Sequence, residues 1–163
     1  MKGIRELQLQ GSTLVLREAA VDDMPAVLEL LADDQLGATR DSAGEAAEME
    51  PYLRAFKAMD SDPAHLLLVV ADGGQVVATM QVSFIPGLAR RGALRAQIET
   101  VRVSHDYRRK GLGASMVDWA IGESRRRGCA LVQLTTDKSR SDAHRFYKPL
   151  GFVASNERFK LTL

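Results

Sequence analysis

The chain has 163 residues, of which 45% are apolar and 26% are charged, and its formal net charge is +1. This size and composition fit one compact domain, so we expect a single domain over residues 1–163. The amino-terminal residues lack the apolar stretch of a signal peptide, and no segment approaches the roughly 20 apolar residues that cross a bilayer, so the sequence predicts a cytoplasmic protein.

A strand and two helices are expected in the first third of the chain. Residues 13–18 alternate between apolar and polar side chains, and Asp22 fits the N-cap of a helix whose apolar positions lie three to four residues apart. A second helix is predicted over residues 45–59 by the same helical spacing of apolar residues. Residues 37–44, between the two helices, have the composition of a loop.

The middle of the chain predicts a hairpin and a further strand. Two apolar runs, residues 65–71 and 75–85, flank a turn at residues 72–74. The turn contains two glycines, which can adopt the positive φ values that a tight hairpin demands. A loop is expected over residues 86–92, followed by another strand over residues 94–103.

Two helices and two strands complete the pattern. The helix at residues 112–127 has apolar residues at helical spacing, three arginines in its last turn and a glycine after it. A strand follows at residues 131–135, and then a helix that begins near Asp142 and ends at Gly151. Residues 152–163 are expected to form a last strand or strand pair. The order of elements predicts a mixed sheet flanked by helices.

Acidic residues are concentrated in one part of the chain. Between Asp22 and Asp62 there are eleven acidic residues against three basic ones, so the rest of the chain carries the positive excess. This division suits a protein that binds an anionic ligand on one side and a cationic ligand on another. Two solvated helix faces explain the division equally well, and both interpretations stay open.

The cysteine and the histidines predict little chemistry. Cys129 cannot form an internal disulfide, and it begins an apolar run, so we expect a buried structural thiol rather than a nucleophile. His65, His105 and His144 lack metal-ligand spacing with carboxylates or cysteine. The sequence therefore predicts no metal site.

A strand, a basic glycine-rich turn and a helix start follow one another at residues 99–116. The first turn of a helix has unpaired N–H groups and partial positive charge, and Gly111 and Gly113 let the backbone approach a ligand closely. Three basic residues just before Gly111 add full charges at the same place. A diphosphate is therefore the expected ligand.

Spacing separates three phosphate-binding motifs. The dinucleotide-binding pattern requires a third glycine where this chain has Met116, and the P-loop requires a Gly-Lys-Ser/Thr end that is missing. What remains, Arg108-x-x-Gly111-x-Gly113, resembles the acyl-CoA signature of the GCN5-related N-acetyltransferase (GNAT) superfamily, Gln/Arg-x-x-Gly-x-Gly/Ala. A basic helix start without a ligand would give the same six residues.

A second block makes the resemblance specific. Residues 142–152 read Asp-Ala-His-Arg-Phe-Tyr-Lys-Pro-Leu-Gly-Phe, which is similar to the superfamily's Ala-x-x-Phe/Leu-Tyr-x-x-x-Gly-Phe block. The two blocks together cover about a third of the chain, residues 99–152, and the predicted elements around them agree with the order in the superfamily. Arg140 departs from the pattern, since many relatives carry asparagine there.

The resemblance implies a fold and an activity. The fold is the acyl-CoA N-acyltransferase fold of the α/β (α+β) class, with a mixed, mostly antiparallel sheet of six to seven strands flanked by about four helices. The activity is transfer of the acetyl group of acetyl-CoA, the cosubstrate, to a primary amine by direct transfer in a ternary complex, with no metal. Members are often dimers, so a homodimer is compatible with the resemblance.

The resemblance also implies which residues bind the cosubstrate. In the superfamily the strand before the basic turn binds pantetheine through its backbone, and the turn and helix start bind the pyrophosphate. The residues implied are Val101, Val103, Arg108, Arg109, Lys110, Gly111, Leu112, Gly113 and Ala114.

Two residues are predicted to be catalytic. Glu99 lies two residues before Val101, and strand periodicity places both on one side; many members have a glutamate base there. A salt-bridged strand residue, paired with Arg95 or Arg102, is the alternative for Glu99. Tyr147 aligns with the tyrosine that points at the CoA sulfur in the superfamily, which makes it the expected acid for the departing thiolate; a purely core tyrosine is the alternative.

The acceptor is less well defined by the sequence. In the superfamily the first two helices and their loop wall the acceptor site, and here they are acidic, which favours a cationic small molecule or peptide amine. An acyl-CoA-binding regulatory module without turnover is the alternative function. A nucleic-acid partner is not expected, because aromatics make up 6% of residues and do not interleave with the basic clusters; nor is a membrane partner.

Overall fold

The computed structural model describes residues 5–33, 46–136 and 140–163. Over these ranges six strands form one sheet in the order of the sequence, with antiparallel neighbours except for the parallel pair at the end. The strands are β1 (Arg5–Leu9), β2 (Ser12–Glu18), β3 (His65–Asp72), β4 (Gln75–Ile85), β5 (Arg95–Val103) and β6 (Leu131–Leu134). The mixed, mostly antiparallel sheet is confirmed.

Helices flank this sheet at the places that the sequence predicts. They are α1 (Met24–Ala32), α2 (Ala46–Asp60), α3 (Leu112–Arg126) and α4 (Ser141–Tyr147), with shorter helical turns at Val21–Asp23, Ala89–Gly92, His105–Tyr107 and Lys148–Leu150. The loop expected over residues 37–44 lies outside the described residues. Within the described ranges, no helix combines the length and the apolar character needed to cross a membrane.

The two ends of the chain differ from the sequence prediction. β1 was not predicted, because only Leu7 and Leu9 mark its buried face; in register they lie opposite Leu14 and Ser12 of β2. The expected last strand over residues 152–163 is wrong. From residue 153 onwards this segment is irregular and exposed, because it forms no ladder with a neighbouring strand.

The core is divided between the two faces of the sheet. One face packs against α3, which buries Leu112, Met116 and Ala120, as the helical spacing predicts, while Trp119 is only partly buried. Burial of side chains the size of Leu112 and Met116 contributes about 1.5–3 kcal/mol each. The other face packs against α1 and α2 through a smaller cluster: Ala19, Met24, Val27, Phe56 and Val69.

Arg127, which follows α3, connects the carboxyl end of this helix to the sheet. Glu123 accepts hydrogen bonds from Arg126 (2.6 Å) and from Arg127 (2.9 Å). The Arg127 guanidinium also donates to the Pro63 carbonyl (2.7 Å) and lies 4.0 Å from the centroid of the Phe84 ring. The hydrogen bond from Arg126, followed by that from Arg127, lowers the pKa of Glu123 to about 2.

Replacing Glu123 with glutamine should therefore lower stability in a pH-dependent way. At neutral pH we expect a loss of about 1 kcal/mol in the free energy of unfolding, since Arg126 is exposed and its pair is screened. A carboxyl group whose pKa is depressed by folding stabilises the protein above its unfolded pKa, here 4.5. In urea titrations, the difference in the free energy of unfolding between wild type and Glu123→Gln should shrink as pH falls from about 4.5 towards 2. A difference that stays constant over this range would contradict the stabilising role of Glu123.

Candidate active site

A bulge interrupts β5 where the candidate site lies. Glu99 pairs with Gln81 of β4, and Arg102 pairs with Thr79, so β5 has one residue more than β4 between these two pairs. Thr100 lies in the bulge with φ of 51°, a left-handed conformation that is rare for a β-branched residue. Such strain is common at functional sites and is maintained by the surrounding structure.

The bulge reverses the side-chain alternation that the sequence predicts. Glu99 is in register with Gln81, and Gln81 with Leu67, which belongs to the face that packs against α1 and α2. Val103 is in register with Ala78, on the face that packs against α3. The prediction that Glu99 and Val101 share one side of the strand is wrong, because the extra residue separates them; Val101 packs with the α3 cluster.

Two glutamines, which the sequence analysis missed, connect to Glu99. The Gln97 side-chain amide donates a hydrogen bond to the Glu99 carboxylate, and its oxygen accepts one from Gln133 Nε2 (2.9 Å). The three side chains lie side by side on β5 and β6, on the face turned towards α1 and α2. The Gln97 amide orients the carboxylate and Gln133 holds Gln97 in place, while Glu99 itself remains exposed.

The sheet opens next to the bulge. β5 and β6 pair from Arg95–Leu131 to Ile98–Leu134, where β6 ends. β5 continues to Val103, so its last five residues face no strand on this side among the described residues. We call this wedge-shaped opening the notch; residues 99–103 bound it on one side and residues 134–136 on the other.

The basic turn, residues 108–111, lies at the end of the notch and leads directly into α3. Arg109 and Gly111 both adopt left-handed φ values, 60° and 85°, a conformation found in turns whose amides bind anions. The first bond within α3 runs from the Ser115 N–H to the Gly111 carbonyl (3.0 Å). The amides of Leu112, Gly113 and Ala114 precede that bond and have no acceptor within the helix. These donors, beside three cationic side chains, fit a diphosphate.

Side chains of the turn brace it against the rest of the protein. The Tyr107 hydroxyl donates to Asp72 at the end of β3 (2.7 Å), and this bond, with burial and the Asp72 charge, raises the pKa of Tyr107. Arg108 donates to the Val103 carbonyl (2.9 Å) and to Asp33 (3.3 Å). The Arg108 side chain therefore fixes the turn to β5 and α1, whereas the exposed side chains of Arg109 and Lys110 face solvent.

Tyr147 belongs to an aromatic group beside the notch. Its ring contacts Phe146 edge-on at 4.9 Å between centroids and Phe152 at 5.7 Å. Phe146 in turn lies against Gly113, where an added Cβ would approach its ring to 3.3 Å, so α4 packs closely on the start of α3. Burial raises the pKa of Tyr147, and the positive charges of Arg102 and Arg140 partly offset this shift.

A groove of about 390 Å³ opens at the start of β3, on the carboxyl side of α2. Its wall includes His65, whose Nδ1 lies 2.9 Å from Ser83 Oγ; Ser83 pairs with Gln97 on the face that carries Glu99. The charged lining residues are Glu18, Asp60, Asp62 and Arg127. Carboxylates predominate, so this groove has the character of a cation-binding surface.

Cys129 and the possible metal ligands show no sign of a reactive or metal-binding site within the described residues. Cys129 is half-buried, and burial raises the pKa of its thiol, as expected for an unreactive cysteine. Across the described ranges, no group of three or more histidine, cysteine or acidic side chains could hold a metal ion.

Replacing Gly111 with alanine should weaken binding at the basic turn. Its φ of 85° costs a residue with a Cβ about 1–2 kcal/mol, although an added Cβ would meet no other atom within 4 Å. The turn then relaxes and withdraws its amides, so we expect the Kd for coenzyme A to rise about tenfold in calorimetry. Gly122→Ala, in the middle of α3 with equal space, is the control and should leave the Kd unchanged.

Comparison with known proteins identifies the class. Residues 24–152 match the model of the acetyltransferase (GNAT) family, so the chain belongs to this family. The resemblance found in the sequence and the fold that it implies are thereby confirmed. The family uses acetyl-CoA as its acyl donor.

Individual relatives cover this chain to different extents. A transcriptional regulator from Bacillus halodurans C-125 has a solved structure with a TM-score of 0.88 and 43% identity, covering 92% of this chain and 99% of that one. An aminoalkylphosphonate N-acetyltransferase from Salmonella typhimurium is 36% identical over 41% of this chain and 44% of its own length. A glucosamine 6-phosphate N-acetyltransferase from Trypanosoma brucei brucei is 31% identical over 55% and 59%. The chain thus spans about half the length of these two curated relatives.

Proposed function

We propose that the chain, as one domain over residues 1–163, transfers the acetyl group of acetyl-CoA to a primary amine by direct transfer in a ternary complex. The observation that carries this proposal is the continuity of the notch with the basic turn. The notch exposes the backbone of residues 99–103, and its far end meets the amides at the start of α3. A ligand with an extended arm and a diphosphate fits this path.

The proposed chemistry divides between the two faces of the sheet. Bound acetyl-CoA supplies the thioester. Val101 and Val103 hold the pantetheine arm through their backbone, and the amides and basic side chains from residue 108 to residue 114 hold the pyrophosphate. Glu99 faces the side of α1 and α2, where it accepts the proton of the incoming ammonium, directly or through a water.

Two further side chains complete the proposed machinery. Gln97 acts as a positioning residue, because its amide donates to the Glu99 carboxylate while Gln133 fixes the Gln97 oxygen. Tyr147 acts as the acid and shares its hydroxyl proton with the departing sulfur. A tyrosine hydroxyl is protonated at neutral pH, as this role requires, and burial raises the pKa of Tyr147 further.

The proposed acceptor is a cationic amine. Carboxylates predominate in the groove near Ser83, and their field raises the local concentration of cations. The two curated relatives, by contrast, are named for amines that carry a phosphonate or a phosphate. A panel of polyamines, amino sugars, peptide amines, aminoalkylphosphonates and sugar phosphates, assayed by release of the CoA thiol, distinguishes the two classes. Consistent preference for the anionic amines would contradict a cationic acceptor.

The same assay tests the proposed activity. We expect acetyl-CoA-dependent thiol release that rises with amine concentration, and calorimetric saturation by acetyl-CoA alone. Absence of saturation would contradict the binding assignment for the basic turn.

An acyl-CoA-binding regulatory module is the second candidate function. The Bacillus halodurans protein, which is described as a transcriptional regulator, supports this candidate through its 43% identity. Saturable binding of acetyl-CoA without thiol release across the whole panel would favour the module over the enzyme.

A further inference from the structure

A glutamine that the proposed machinery does not use lies directly opposite Glu99. Gln81 of β4 and Glu99 of β5 are partners in register, and the Cβ atoms of such partners are about 4.5–5.5 Å apart. Gln81 is also in register with Leu67, which belongs to the face that packs against α1 and α2. Gln81 and Glu99 therefore share the face on which the acceptor is proposed to bind.

The Gln81 amide has no hydrogen-bond partner in the part of the chain that the structure describes. Other polar side chains on this face do have partners. Ser83 Oγ lies 2.9 Å from His65 Nδ1, and Gln97 donates to Glu99. Polar groups that folding buries normally bond to protein, water or a ligand. Because Gln81 is half-buried, its amide is left to bond with solvent or with a ligand on this face.

The Glu99 carboxylate also keeps one oxygen for a ligand. Its Oε1 accepts the hydrogen bond from Gln97, whereas Oε2 has no hydrogen-bond partner across the described ranges. The side chain is exposed, so a ligand can reach this oxygen. Two unpartnered polar groups, Glu99 Oε2 and the Gln81 amide, thus lie on neighbouring strands, close enough to contact one nitrogen atom.

We propose that Gln81 binds the attacking amine and directs its lone pair, an inference that rests on the proposed function. A primary amine that attacks through its lone pair has two N–H bonds and one carbon substituent. Glu99 accepts a hydrogen bond from one N–H, and Gln81 Oε1 accepts one from the other. With both N–H bonds held, the lone pair is aimed at the thioester carbon, which is the orientation that the reaction requires.

Two acceptors for one nitrogen select primary amines. A secondary amine has a single N–H, so it leaves either Glu99 or Gln81 without its hydrogen bond. A site built to hydrogen-bond a substrate N–H rejects an analogue that lacks it, because a polar group of the site is then unpaired. N-methyl derivatives of good acceptors are therefore poor acceptors.

Kinetics with matched amines test this role. The probes are the primary amine that the acceptor panel ranks first and its N-methyl derivative, assayed by thiol release under saturating acetyl-CoA. With wild type, kcat/KM for the primary amine should exceed that for the N-methyl amine by about tenfold or more, the effect of one hydrogen bond. In Gln81→Met, which keeps the side-chain length without the amide, kcat/KM should fall about tenfold for the primary amine and change little for the N-methyl amine.

The variants separate hydrogen bonding from the bulk of the methyl group. A preference that came from bulk alone would persist in Gln81→Met, because methionine and glutamine are similar in size. Gln75→Met is the matched control, since Gln75 is an exposed glutamine at the other end of the same strand, and it should keep the wild-type preference. The KM for acetyl-CoA should be the same in all three proteins.

The outcomes distinguish this inference from the proposed function. Equal kcat/KM for the two amines with wild type would overturn the role of Gln81 without the need for any variant. An unchanged preference in Gln81→Met would overturn it as well. Both results leave the proposed acetyl transfer in place, whereas absence of thiol release with every amine would overturn the proposed function and this inference together.

Discussion

Glu99→Gln should lower kcat by about two to three orders of magnitude at neutral pH. Removal of a general base typically costs 10²–10⁴-fold, and a glutamine of the same shape cannot accept the ammonium proton. The hydrogen bond that Gln97 donates to this position has an acceptor in the amide oxygen, so the substitution leaves the local geometry in place. The measurement is thiol release under saturating acetyl-CoA, with the acceptor varied.

The pH dependence distinguishes a base from a binding residue. As pH approaches the pKa of the acceptor amine, the free amine becomes abundant, and the Glu99→Gln variant should regain part of its lost rate. Glu6→Gln is the matched control, because Glu6 is also an exposed strand glutamate but lies on β1, at the opposite edge of the sheet. A kcat for Glu99→Gln equal to that of wild type would remove Glu99 from the chemistry.

The sequence was sufficient to predict the elements that depend on local patterns. The boundaries of β3, β4 and α3 follow from an apolar run, a glycine turn and helical spacing, and each lies within about one residue of the prediction. The two ends were not predictable in this way. β1 has only two buried side chains, and the segment after Phe152 has a strand pattern but no strand beside it.

In the candidate site, too, features that depend on local sequence patterns were predictable and features that depend on strand pairing were not. The basic turn was predicted from charge and glycine spacing, and both are local properties of the sequence. The bulge at Thr100 was not, because nothing in the order of residues shows that β5 has one residue more than β4 between their pairs. The bulge places Glu99 and Val101 on opposite faces of the sheet. Gln97 lies two residues before Glu99 and on the same side of the bulge, so ordinary strand periodicity keeps it on the face of Glu99, where it donates to the carboxylate.

The contact between Gln97 and Gln133 could not be predicted from the sequence either, because it depends on how the strands pair. Gln133 lies on β6, which pairs in parallel with β5 after a crossover through α3, and its partner Gln97 is 36 residues away. Polar residues on an exposed strand face are common, so neither glutamine stands out in the sequence. Register alone places Gln133 beside Gln97, which in turn donates to the Glu99 carboxylate.

Tyr147→Phe should lower kcat about 10- to 100-fold with little change in the KM for acetyl-CoA. A thiol is a comparatively good leaving group, with an ordinary pKa of about 8.5, so its acid contributes less than a base that must deprotonate an amine. The phenylalanine ring keeps the edge-on contacts with Phe146 and Phe152, so the fold and the binding site should be preserved.

The same substitution at Tyr107 should have the opposite effect, on binding rather than on the chemical step. Loss of its hydroxyl removes the bond to Asp72 that braces the basic turn, so the KM for acetyl-CoA should rise while kcat changes little. Steady-state kinetics of the two variants therefore separate transfer of a proton from binding of the diphosphate. If Tyr147→Phe instead raises KM and leaves kcat intact, Tyr147 contributes to binding, and the acid must be sought elsewhere along the notch.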